Sequence, residues 1–331
     1  MSPIRRVLYA VKDPDPRRDR GAAKAIALAK SCGASIELFH AISAPLFLPA
    51  DRPSDASLAD LKRDTVELQT MRLEKLAAAS RVRGVEITCV AAWDYPPHEA
   101  IVRRAGHIGA DLIVASCHKG SRGNAWLVRL TDFELLRASD VPVLLLKTFE
   151  PYHRPVVMAA VDPSHTHAKP LDLDARILAE ARYVGAAMRG TLHVIHVNAP
   201  PLHGLAYGEP IAGVEATARA YGELEKRGRE DFAALLAGSG IPEQRCHLVG
   251  GTPAEALPKF ARKLDAGLVV MGAVSRSGLA RVFIGNTAER VLGDLPCDVL
   301  VVKPKRFEKR VTRKRGGAIV LTHSPTTGLA N

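Results

Sequence analysis

The chain repeats itself. The run Ala110-Asp-Leu-Ile-Val-Ala-Ser116 returns as Ala266-Gly-Leu-Val-Val-Met-Gly272, 156 positions later. At the same offset His40 falls on His196 inside matching apolar runs, Pro97-His-Glu-Ala100 falls on Pro253-Ala-Glu-Ala256, and Val143–Lys147 falls on Val299–Lys303. Nine of the 38 positions from Ala110 to Lys147 are identical to their partners. Most other exchanges in the apolar runs swap one aliphatic side chain for another, so the repeat preserves two hydrophobic cores. A chain of 331 residues therefore reads as two copies of one domain, 1–150 and 151–304, followed by a tail, 305–331.

Within each copy, short aliphatic runs alternate with longer segments of helical period. In the second copy the runs are Val156–Val161, Thr191–Val197, Arg245–Val249, Leu268–Met271 and Asp298–Val302. The segments between them, Leu173–Met188, Glu215–Leu236, Pro253–Leu264 and Asn286–Leu292, carry apolar residues at i, i+3, i+4 spacing. This order predicts an α/β fold with a mostly parallel sheet covered on both faces by helices. Pro97 and Pro253 suit the first turn of a helix, and Glu99 and Glu255 favour its positive end. The junction Thr148-Phe-Glu-Pro-Tyr-His-Arg-Pro155 lacks periodicity and marks the boundary.

The formal charge of +11 is unevenly placed. Lys303, Lys305, Arg306, Lys309, Arg310, Arg313, Lys314 and Arg315 against Glu308 give +7, and residues 1–20 give +3, leaving +1 for the rest. The basic tail is expected to be mobile and to offer an anionic partner, RNA, DNA or lipid, a counterion-release site. A solvated tail is the equal alternative. No apolar run approaches the roughly 20 residues of a membrane span, and the N-terminus lacks a signal-peptide pattern. Five scattered cysteines without a C-x-x-C pair suggest reduced thiols, and so a cytoplasmic protein. Twelve histidines form no multi-ligand set, and His193 and His196 project to opposite faces of a regular strand, so no metal site is expected.

Ligands of a doubly wound sheet bind outside the carboxyl ends of its strands, where strand order reverses. Asp162 ends the first strand of the second copy, and Met271-Gly272 ends the fourth. Gly285-Asn286-Thr287 then opens a helix whose free N–H groups and dipole suit a phosphate. Asn286 and Thr287 add side-chain donors. Equally, Gly272, Gly278 and Gly285 serve to turn the loop, and Asp162 to cap it.

Three stretches, Val157–Ser164, Val270–Val291 and Cys297–Pro304, together resemble the universal stress protein family. The resemblance runs twice through the chain, from Arg5 to Pro304. The GNTAE stretch at Gly285–Glu289 and the Glu150-Pro-Tyr-His-Arg154 linker resemble its tandem-domain branch. It implies two tandem doubly wound five-stranded parallel sheets, Rossmann-like, forming a pseudo-twofold pair through their last strands. It also implies a cytosolic stress-response role, and ATP binding in some members. A homodimer is a further expectation.

The family's nucleotide pattern is Gly, two residues, Gly, nine residues, Gly, then Ser or Thr. Its positions here are Gly272, Ser275, Gly285 and Asn286, with the spacing intact and two substitutions. The expected ligand of the second domain is ATP or another adenine nucleotide, with Mg²⁺ as its companion, held by Asp162, Met271, Gly272, Ser275, Gly285, Asn286 and Thr287. In the first copy Ser116, Lys119, Arg129 and Leu130 hold the four positions, and Lys12 replaces Asp162, so nucleotide binding is expected in the second domain only. No P-loop, H-E-x-x-H or G-x-S-x-G motif is present, and no catalytic residue is assigned. Binding without efficient catalysis is the expected function. The alternatives are an adaptor that acts through protein or nucleic-acid contacts, and a slow ATP hydrolase.

Overall fold

A computed structural model describes residues 3–43, 55–80, 82–117, 125–163, 172–198, 214–272, 286–304, 311 and 320–323. The chain divides into two compact units, one of Ser2–Tyr152 with Phe307–Asn331 and the other of His153–Arg306.

The first unit runs β1 (Arg6–Ala10), α1 (Ala22–Cys32), β2 (Ser35–Ile42), α2 (Asp55–Ala79), β3 (Ile87–Trp93), α3 (Pro97–Ile108), β4 (Leu112–Ser116), α4 (Ala125–Ala138) and β5 (Val143–Leu146). Its parallel strands lie in the order β3-β2-β1-β4-β5. The second unit runs β6 (Val156–Val161), α5 (Leu173–Ala187), β7 (Thr191–Asn198), α6 (Val214–Leu236), a 3₁₀ turn (Glu243–Arg245), β8 (Cys246–Gly250), α7 (Pro253–Lys263), β9 (Ala266–Gly272), α8 (Asn286–Asp294) and β10 (Asp298–Val302). Its order is β8-β7-β6-β9-β10, again all parallel. In both, strand order reverses between the first and fourth strands, which is where a doubly wound sheet opens a crevice.

The predicted strands and helices of the second copy appear within two residues of their expected bounds. Central strands read as continuous aliphatic runs because helices cover both faces: Leu112–Ser116 is buried at all five positions. Pro97 and Pro253 stand at the first positions of α3 and α7, where a missing N–H costs nothing.

The copies end their helices differently. Gly33 closes α1 at φ 66° and Gly109 closes α3 at φ 63°. The second copy puts Arg189 (φ 55°) and Asp265 (φ 50°) in the matching places, and a side chain there crowds the following carbonyl. Arg189→Gly should therefore raise stability by about 0.5–1 kcal/mol, read from the urea midpoint of the second domain. The neighbouring Gly190 cannot be replaced: a Cβ would stand 2.3 Å from the Pro155 carbonyl oxygen.

The C-terminal segment contains an element that the sequence analysis did not assign. Val320–His323 forms β11, antiparallel to β3, pairing Val320 with Ala92 and His323 with Cys89. Four residues without flanking periodicity are too short to declare a strand, and only the unpaired edge of β3 gives them a place. The linker is also tied down in the first unit. Lys24 of α1 donates to the Thr148 side-chain oxygen (2.7 Å) and lies 4.0 Å over the Tyr152 ring, while Arg20 lies 4.8 Å over Phe149. Among the described residues no helix is long and apolar enough to cross a membrane.

Candidate functional site

The second domain brings Asp162, Met271 and Gly272 together at the carboxyl ends of β6 and β9. The register pairs Ala160 with Met271, so Asp162 and Gly272 follow on neighbouring strands at the switch point. Asp162 is anchored through its backbone: its N–H donates to Asp174 Oδ1 of α5 at 3.0 Å, and Asp174 is buried. Its side chain is 46% exposed. Beneath it lies His196 of β7, only 1% exposed, with Nδ1 3.2 Å from the Val161 carbonyl oxygen and 4.0 Å from Asp162 Oδ1. The other side of that ring meets Phe232 of α6 at 5.9 Å between centroids.

Gly272 has a packing role. A Cβ added there would stand 2.8 Å from Leu173 Cδ2 and 3.1 Å from Ile177 Cδ1, so α5 sits directly on the end of β9. Asn286 and Thr287 open α8 as expected; their side chains, with Ser275 and Gly285, lie outside the described residues.

The same place in the first domain is built from other residues. Val11 and His40 repeat the strand-end contact, His40 Nδ1 to the Val11 carbonyl oxygen at 2.9 Å, which sets Lys12 where the second copy has Asp162. The offset there is 150, not 156, because the second copy carries six more residues between its first two strands. Lys12 Nζ reaches Asp132 Oδ1 of α4 at 2.8 Å, with side chains 29% and 10% exposed. A cation and a carboxylate thus bond each other across the crevice. Beside them, burial and then the Asp132 carboxylate push the Cys117 thiol up to about 12, which leaves it protonated and unreactive. Ser116, in the place of Gly272, shares a 2.8 Å hydrogen bond with the Tyr9 hydroxyl, which also donates to Asp19. Burial, reinforced by Asp19, keeps that phenol well above its usual pKa. Lys119 lies outside the described residues, and of Arg129 and Leu130 only the helical backbone is described.

Residue-type reasoning did not select His196, Asp174 or Ile177. The signal for the histidine was the repeat itself, since His40 and His196 coincide at the 156 offset. The Ile177 signal was subtler. At that offset Gly21 pairs with Ile177 and Ser116 with Gly272, a small-for-large exchange on one helix matched by the reverse exchange on the facing strand. Among the described residues, no three His, Cys, Asp or Glu side chains gather into a metal cluster.

Comparison with known proteins agrees with this architecture. A solved structure from Pseudomonas aeruginosa PAO1, the functionally unknown protein PA1789, matches with a TM-score of 0.65 at 27% identity, covering 91% of this chain and 93% of that one. A universal stress protein from Archaeoglobus fulgidus shares the fold at TM-score 0.54 and 19% identity, over 90% and 96% of the two chains. Universal stress protein E of Escherichia coli K12 is 27% identical over 316 residues, 92% of this chain and 96% of its own length. The corresponding protein of Photorhabdus laumondii is 24% identical over 313 residues, 91% and 96% of the two. The model of the universal stress protein family matches residues 3–147 and again 155–303. With both halves matched and each built on the same strand order, the chain belongs to the universal stress protein family, in its tandem form.

Proposed function

We propose that the second domain is the ligand-binding half, taking ATP or another adenine nucleotide at the crevice beside Asp162, while the first domain binds no nucleotide at its matching crevice. The observation that supports this most is the contrast between the copies. Asp162 is held by its backbone with its carboxylate half exposed, as an acceptor for ribose or base hydroxyl and amino groups. In the first copy the equivalent position is a cation, Lys12, paired with Asp132. The phosphates would meet the α8 N-terminus with Asn286 and Thr287, where free N–H groups and the dipole favour an anion. Mg²⁺ would travel with the phosphates, and the absence of a base or water-positioning partner in the assigned set favours binding over hydrolysis. A cytoplasmic, ligand-responsive role in the stress response follows from this reading together with family membership.

Calorimetric titration of ATP tests it. Asp162→Ala should weaken binding by about ten- to a hundredfold, the loss of a hydrogen bond to a charged acceptor. Gly285→Arg, which copies Arg129 of the first copy, should abolish it. Equal heats from the wild type and Gly285→Arg, or none from the wild type, overturn the assignment.

The charge distribution favours a second reading, an adaptor working through the +6 run from Lys305 to Arg315, Lys303 itself being buried. Retention on RNA or heparin should then fall steeply with salt and disappear when Phe307–Asn331 is deleted. Unchanged retention by the truncated protein excludes it.

A further inference from the structure

The two copies solve one packing problem with different chemistry, where the second strand meets the third helix. In the first domain Glu37 of β2 and Arg104 of α3 form a two-pronged ion pair, Nε to Oε1 and Nη2 to Oε2, both at 2.7 Å, with side chains 8% and 12% exposed. At the 156 offset these positions are His193 of β7 and Phe260 of α7. The second domain fills the place with an aromatic cluster completed by His247 of β8. His193 Nδ1 and His247 Nε2 are 2.9 Å apart. The rings are parallel within 6° and their centroids 5.2 Å apart, so the nitrogens lie between the rings and the contact is edge to edge. His247 packs in turn on Phe260 at 4.7 Å, tilted by 54°.

An N–H···N bond between imidazoles exists only while one of the facing nitrogens lacks a proton. A first added proton goes to an outer nitrogen and leaves the bond intact. A second puts N–H against N–H and two positive charges on touching rings, so the pair titrates as a unit in two steps. The charged groups acting on the rings are cations: Arg245, from the turn before β8, on His193, and Lys263 of α7 on His247. Burial first, then these cations, and for His247 the neighbouring ring, hold both histidines below their ordinary value.

We propose that the β7–β8–α7 corner of the second domain is an acid-sensitive joint: a second proton on the His193–His247 pair breaks their hydrogen bond and loosens β8 from β7 and, through the His247 contact on Phe260, from α7, while the Glu37–Arg104 joint of the first domain stays closed. The sign follows from linkage. An unfolded chain takes up these protons as pH falls below about 6.5, before the folded domain does. Stability present above that pH is therefore lost progressively as pH drops towards the lowered folded values. The first domain's joint holds no imidazole: a guanidinium donates to both oxygens of one carboxylate.

Hydrogen exchange of the full chain at about pH 7.5 and about pH 5.5, corrected for intrinsic rates, reads this directly. Protection of Cys246–Gly250 and Pro253–Lys263 should fall in acid, with Ser35–Ile42 and Pro97–Ile108 unchanged. The variant His247→Gln keeps a partner for His193 without a second titrating ring, and should lose this pH dependence. Equal acid sensitivity in both domains, none in either, or the wild-type response in a folded His247→Gln protein each overturns the proposal. Should that variant not fold, the comparison of the two domains within the wild type decides alone.

Discussion

Replacing Arg104 with phenylalanine, the residue of the second copy, should destabilise the first domain by about 3–5 kcal/mol, because it leaves the buried Glu37 carboxylate without its partner. Adding Glu37→His, which removes the stranded carboxylate, should recover most of that loss. The physical basis is the asymmetry of buried ion pairs: breaking one strands a charge, whereas replacing both partners with well-packed neutral groups is often close to neutral. Exchange protection of β2 and α3 reports on this domain alone, which matters because two units need not unfold in one transition. If the two substitutions prove additive, their coupling energy is zero and the pair contributes nothing as a unit.

The second large effect is steric. Gly21→Ala should cost up to about 3 kcal/mol, since its Cβ would lie 2.1 Å from Ser116 Oγ and 2.4 Å from the Tyr9 hydroxyl oxygen. Both oxygens are fixed by hydrogen bonds to each other and to Asp19, so neither gives way cheaply. Ser116→Gly should partly rescue Gly21→Ala while costing about 1 kcal/mol by itself, through the lost partner of Tyr9. The same logic runs in reverse in the second domain, where Ile177 occupies the space that Gly272 leaves. Urea unfolding of the four proteins measures this cycle, and a rescue of zero would separate the two positions energetically.

Much of the fold was legible because a parallel sheet writes itself into the sequence. Val156–Val161, Asp298–Val302 and their counterparts are buried on both faces and so read as unbroken aliphatic runs, while α5 and α7 announce themselves by apolar spacing and by Pro253. The copying at a fixed offset supplied the domain count. The site was legible only in part. Asp162 and Gly272 stand at strand ends that the pattern locates, and the fold places them on adjacent strands. His196 and Asp174 gave no such sign, because a polar residue that holds a strand end in place looks like any other until its partner is known.

What the sequence by itself determined is the pair of α/β domains, the family, the order of elements in the second copy and the concentration of positive charge at the ends of the chain. All of these rest on local periodicity, spacing or counting, which need no knowledge of which residues meet. Tertiary structure alone decided that Lys12 answers Asp132, that Gly272 makes room for Leu173 and Ile177, that His193 meets His247, and that Val320–His323 pairs with β3. Each of these joins residues from different elements, 54 or more positions apart for Lys12, His193 and β11. Their chemistry follows from distance in space, and the repeat could hint at it only where one copy changed both partners together.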